Sequence, residues 1–239
     1  MTWTALLVPA VVLPAVHLSA EHVLHRRGDA WPLTRSTAAL AAGALLAVAA
    51  LWPETGDPRV AETVRHLVAT MAAPVLLALS GPVALALRVL PSRPRRLLVR
   101  VLHGRWARTV TWWPVATVLA ASGAPLFYLA PVPHALHGPL MVHMSLASWL
   151  FATVVAGPDP VRGRPGTVTS TLALLVVAAV HGVTAKLWFA AGAGPAAELL
   201  FVGGDAVEVG TAVAVWSRWY RRTAPRAARG AAGCATLAG

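Results

Sequence analysis

Charge is scarce in this chain, and acid most of all. Of 239 residues only 9 are Asp or Glu, against 20 Lys and Arg, and charged residues make up 12% of the whole. A soluble domain carries about twice that share. A single cysteine, Cys234, excludes a disulfide framework and any thiolate metal site. No H-E-x-x-H run is present, which removes the usual signature of a zinc hydrolase. Lys186 is the only lysine.

What fills the chain instead is hydrocarbon: 57% of residues are hydrophobic and mean hydropathy is +0.64. Apolar blocks long enough to cross a bilayer recur over 3–22, 34–52, 62–80, 112–130, 138–156, 168–191 and 196–217. The expected fold class is therefore all-α, a polytopic membrane protein with seven transmembrane helices. The formal charge of +11 would suggest nucleic acid in a soluble protein. Here the basic residues stand between the apolar blocks, so topology accounts for them and nucleic acid is not an expected partner. The N-terminal block lacks the positive start of a signal peptide and reads as a retained first helix. Residues 1–222 form the expected transmembrane domain, and 223–239 read as a basic, disordered cytoplasmic tail.

The arginines orient the bundle. Arg26, Arg27 and Arg35 follow block one; seven arginines from Arg88 to Arg108 follow block three; Arg162 and Arg164 follow block five; Arg218 to Arg229 follow block seven. The alternate gaps hold only Arg59 and Arg65, with Glu54 and Asp57 nearby. The expected N-terminus is outside and the C-terminus inside. Trp3, Trp52 and Trp188 fall at outer ends, and Trp31, Trp112, Trp113, Trp216 and Trp219 at inner ends, as interfacial belts do. Block three should kink or extend past Pro82, on to Val89.

Orientation converts position into depth, at about 1.5 Å per residue. His66, His143 and Asp205 lie roughly 6, 7 and 13 Å below the outer ends of their blocks, and His181 roughly 15 Å below its own. Glu62 stands one turn above His66 and Glu208 one turn below Asp205. Ionisable groups at membrane depth cost several kcal/mol each and mark function. Imidazole and carboxylate from facing helices can bind copper or zinc, and the thioethers of Met71, Met141 and Met144 suit Cu(I). The same groups can instead act as interhelical hydrogen-bonding glue, or as a proton or ion relay. Lys186 lies too near the outer end, and too far round its helix from His181, for a retinal site; snorkelling or a carboxylate partner suits it better. His134 and His137 read as surface residues of an outer loop. His17, His22 and His25 belong to the inner interface. The basic inner loop between blocks three and four can serve topology or contact anionic lipid.

The run VRHLVATMAAPVLLALSGPVALALRVLP, 64–91, resembles the signature of the bacterial CtaG-type cytochrome c oxidase assembly factors. HRRGDAWPLTR, FYLAPV, VHMSLASWLF, GPDPVRGRP, the His181–Gly182 pair and FVGGDAVEV follow in matching order, so the resemblance covers Leu24 to Arg222. It implies a non-enzymatic, multi-pass factor of the bacterial plasma membrane that matures a haem–copper oxidase, with oxidase subunits and the lipid bilayer as partners and copper as cargo. It also implies metal ligands at His66, His143, His181 and Asp205, with Glu62 assisting. Two positions depart. Glu62 and Ser145 stand where the family usually has histidines, which leaves a weaker set for Cu(I).

Overall fold

The computed structural model describes residues 3–53 and 56–237, with the backbone alone at His134 and over 225–237. Glu54 and the side chains of His134 and Cys234 thus lie outside the described residues. No strand occurs among the described residues. The helices are α1 (Leu7–Arg26), α2 (Leu33–Leu51), α3 (Pro58–His66), α4 (Ala73–Ser80), α5 (Pro82–Val89), α6 (Ser92–His103), α7 (Arg105–Val110), α8 (Trp113–Tyr128), α9 (His134–Val155), α10 (Thr167–Trp188) and α11 (Pro195–Leu237).

Among the described residues, six helical stretches are long and apolar enough to cross a membrane: Trp3–Arg26, Leu33–Leu51, Pro58–Val89, Ala135–Val155, Thr167–Ala193 and Pro195–Ala224. These correspond to six of the seven expected blocks, the third running on to Val89 and the last to Ala224. The remaining block, 112–130, folds as α8 with only 16 residues, or about 24 Å. Prolines cut it at both ends. Pro114 occupies the first turn, where its missing N–H costs nothing. Pro131 and Pro133 force the chain before them into extended backbone.

The interior is built of small residues. Ala10, Ala39, Ala42, Ala49, Ala69 and Ala73 are buried, while Val11, Val16, Leu40, Leu172 and Leu175 are exposed. That is the reverse of a soluble core. Lipid solvates the large side chains, and small ones let helix backbones approach. At Gly43 an added Cβ would stand 2.6 Å from the Ala10 carbonyl oxygen, so α1 and α2 meet there only because the residue is glycine.

The two ends of the bundle differ in their charged contacts. At one end Arg27 donates to the carbonyls of Arg88 and Val89, Arg88 pairs with Asp29 at 3.7 Å, and Arg35 lies over the Trp31 ring. At the other, Arg65 donates to Trp52 O and lies over the Trp3 ring, and Arg59 donates to Gly192 O.

The expected break at Pro82 is present. Gly81 takes the left-handed conformation, φ 71°, between α4 and α5, and a Cβ there would meet Pro158 at 2.9 Å. Asp159, 2% exposed, caps the restarted helix: its carboxylate accepts from Ala84 N (2.7 Å) and Val83 N (3.3 Å). Arg164 ties the same loop to the end of α9, donating to Thr153 O and Val154 O, each at 2.9 Å, and to Asp159 O. The GPDPVRGRP segment is thus a clasp between α4/α5 and α9.

Between α5 and α8, α6 and α7 have no buried residue. In α6, Pro94, Leu97, Leu98, Val101 and Leu102 share one side by helical spacing, with Arg93, Arg96, Arg100 and His103 on the other. Leu97, Val101 and Trp106 are exposed. This is the pattern of a helix that lies along a membrane surface.

Candidate functional site

Two of the histidines read from the sequence come together. His66 ends α3 and His181 lies in α10; their ring centroids are 6.4 Å apart with planes 8° from parallel. Both are buried, at 1% and 5% exposure. Phe127 stacks on His66 at 6.1 Å and the Tyr128 ring meets it edge-on at 5.2 Å, closing one side.

Local backbone features position each ring. Directly after His66 the helix widens into a π-turn, Leu67–Ala72, in which Ala73 N donates to Val68 O five residues back. Such turns collect at functional sites. Pro74 provides the local reason, since its ring opposes a regular bond to the residue four back. The turn leaves the Ala69 carbonyl without its usual helical donor, and Ser145 of α9 supplies one at 3.2 Å. Met141 O, 2.9 Å away, shares the same proton. The Ser145 hydroxyl therefore serves the backbone, which gives a structural role to a serine where the resemblance led us to expect a histidine.

His66 has a defined proton arrangement. Thr70 Oγ1 lies 3.2 Å from His66 Nδ1 and donates its one proton to His66 O at 2.8 Å. Nδ1–H is then the donor to Oγ1, and Nε2 carries the free lone pair. A ring fixed through one nitrogen with the other left bare is the arrangement of a metal-binding histidine.

His181 is placed by glycine. A Cβ at Gly204 would collide with the imidazole, and one at Gly203 with the Leu67 side chain. The FVGGDAVEV run thus lets α11 pass close against α3 and α10. The face it presents is Gly204, Glu208, Thr211 and Val215, all buried. Glu208 Oε1 stands 3.6 Å from His181 Nδ1, too long for a hydrogen bond. His66 Nε2, both His181 nitrogens and Glu208 Oε1 are buried with no hydrogen-bond partner.

These groups border one cavity of about 60 Å³, which Thr70, Met71, Met144, Ser148 and Thr211 also line. Unpaired buried polar atoms cost about 1–3 kcal/mol apiece. The donors that converge here, imidazole, carboxylate and two thioethers, suit a copper ion by type. Among the described residues no three His, Cys, Asp or Glu side chains stand together as a ready-made metal set.

The other residues read from the sequence lie apart from the pair. His143 is half-buried on α9 and does not line the cavity. Asp205 is exposed, one residue round the helix from the packed face. Glu62 stands 3.9 Å from His137 Nδ1 near the end of α8. Lys186 Nζ lies 5.4 Å over the Phe201 ring. Glu208 is the ligand candidate that depth alone underrated. A signal for it exists in the sequence: small residues mark the packed face of a membrane helix, and Glu208 lies one turn beyond Gly204.

Residues 15–198 match the family model described as cytochrome c oxidase caa3 assembly factor, Caa3_CtaG. The chain belongs to that family. His66, His143 and His181 fall within the matched stretch, and Asp205 and Glu208 lie beyond it. Uncharacterized proteins of Mycobacterium bovis and Mycobacterium tuberculosis are each 31% identical over 195 residues, covering 72% of this chain and 29% of theirs. One from Mycobacterium leprae is 27% identical over 172 residues, 63% of this chain and 25% of its own. The chain thus spans under a third of the length of these curated relatives. No solved structure matches it.

Proposed function

We propose that this caa3 assembly factor family member carries copper as cargo for a haem–copper oxidase, held between His66 and His181 with Glu208 beside them. The observation that carries the reading is the set of buried, unpaired atoms around one cavity: His66 Nε2, His181 Nδ1 and Nε2, and Glu208 Oε1. A bound cation would engage His66 Nε2, one His181 nitrogen and Glu208 Oε1, while the other His181 nitrogen carries the ring proton. Met71 and Met144 supply soft sulfur on the same wall, which favours copper over magnesium or calcium. His143, Asp205 and Glu62 hold secondary places in this reading, since none of them lines the cavity. Binding requires bare imidazole and carboxylate, so protons compete with the cation for the same atoms.

The proposed setting is the bacterial plasma membrane, with seven spans, the N-terminus outside and the C-terminus inside. The shorter α8 serves as the seventh span, because it runs from the basic α6–α7 segment to Tyr128, whose ring packs 4.4 Å from Trp188. No catalytic step is needed for this role; the chain binds, orients and releases its cargo to an oxidase subunit.

In a bacterium deleted for this chain, the wild-type sequence is expected to restore copper-loaded oxidase. The His66→Ala/His181→Ala variant, at equal membrane abundance, is expected to leave the oxidase copper-depleted. Copper per haem in the isolated oxidase is the readout. Full loading by the double variant would contradict the proposal.

A further inference from the structure

We propose that the chain binds a phosphate group at the N-terminus of α10, in a pocket bounded by Arg218 and Arg222 of α11. The pocket encloses about 90 Å³ and lies at the arginine-rich end of the bundle, away from the histidine pair. Its wall includes Gly166, Thr167, Ser170, Trp219 and the two arginines.

Two positive features and a neutral hydroxyl donor meet there. The first is the start of a 22-residue helix with Gly166 as its cap, so no side chain satisfies its first-turn N–H groups, and that turn holds no acid. A helix N-terminus carries partial positive charge and attracts anions. The second is the arginine pair. Arg218 donates to Gly157 O at 3.0 Å, and neither Arg218 nor Arg222 has a carboxylate within ion-pair reach among the described residues. Cations beside a helix N-terminus repel it, so the arrangement is unfavourable until an anion joins it.

The third feature is Ser170. It is 2% exposed and lines the pocket. Its neighbour Thr171 bonds back to the carbonyl four residues earlier, as do Thr117, Thr184 and Thr211 in their helices. Among the described residues the Ser170 hydroxyl has no partner. On an otherwise buried residue, a hydroxyl without a protein partner on the wall of a positive pocket is a ready donor to a phosphate oxygen. The electrostatics of the neighbouring loop agree. Burial, with the Arg218 and Arg222 charges added, pulls the Arg164 guanidinium down to about 10 against the opposing pull of Asp159. Local positive charge is in excess.

Two sources offer this chemistry: the phosphodiester of an anionic phospholipid and free phosphate. Trp219, an amphipathic ring of the interfacial type, lies on the wall and suits a headgroup. Three samples of the full-length chain in mild detergent are compared: wild type, Arg222→Gln, and Ser170→Ala. Phosphatidylglycerol and phosphatidylcholine retained per chain are counted by native mass spectrometry, and inorganic phosphate binding by equilibrium dialysis after delipidation. Wild type is expected to retain phosphatidylglycerol over phosphatidylcholine, with affinity falling about tenfold in Arg222→Gln. Phosphate binding that Arg222→Gln weakens, without lipid preference, supports the site with a free anion as its occupant. Equal retention of both lipids with no phosphate binding, or no change in Arg222→Gln, overturns it. Arg222 makes no hydrogen bond within the described residues, so its loss leaves the fold standing.

Discussion

Gly204→Ala is expected to unseat His181 and to abolish the proposed copper binding while leaving every proposed ligand side chain in the sequence. The new Cβ would occupy the volume of the imidazole itself. Either α11 withdraws from α10 or the His181 ring turns away from Glu208. Overpacking of this kind costs about 1–3 kcal/mol. It acts on the one contact that places His181 beside Glu208, now 3.6 Å away. The check is copper bound per chain together with a detergent-unfolding midpoint. Copper binding is expected to fall further than stability. Gly210, with open space around it, is the matched control; Gly210→Ala should change neither.

The second large effect is expected at the clasp. Asp159→Ala would leave the Val83 and Ala84 N–H groups without their acceptor. At about 1–3 kcal/mol for each of the two orphaned buried donors, the loss should reach about 2–6 kcal/mol. Asp159→Asn, which keeps one acceptor oxygen for the shorter bond from Ala84 N but turns its NH2 toward Val83 N, should lose less than the alanine variant. A pH series separates charge from geometry. Burial pushes the Asp159 carboxyl above the usual aspartate range, against the pull of the Ala84 and Val83 N–H groups, Arg164 and Arg35. A raised acid pKa favours the folded state below the unfolded value and loses that contribution as pH rises through the folded one. Wild type should therefore give up part of its stability on going from pH 3.8 upward through that window, and Asp159→Asn should not. The unfolding midpoint against pH is the readout.

Depth was legible in the sequence and facing was not. Block lengths and arginine-rich gaps located six long helices, and Pro82 marked the break that Gly81 completes. The expected heights of His66 and His181 differ by about 9 Å, close enough for rings whose centroids stand 6.4 Å apart. Which way each helix turns is a different question. A helix that is apolar all round offers no amphipathic face to read, so His143 and Asp205 looked equivalent to His66 and Glu208. The small residues held the missing information. Gly203 and Gly204 mark the close-packed side of α11, and one turn on from Gly204 stands Glu208 rather than Asp205. The π-turn after His66 was hidden too, since Pro74 alone does not say whether a helix will kink, break or widen. Ser145 then takes up the carbonyl that the turn frees, a role that no spacing rule assigns. Block 112–130 looked long because hydropathy continues past Tyr128, where the prolines end the helix.

The central claim is that His66 and His181 together hold copper. Its most direct test is the copper content of the purified full-length chain, loaded with Cu(I) under reducing conditions and counted per protein. About one copper per chain is expected in the wild type, the same in His143→Ala and Asp205→Ala, and none in His66→Ala/His181→Ala. Undiminished copper in that double variant would contradict it.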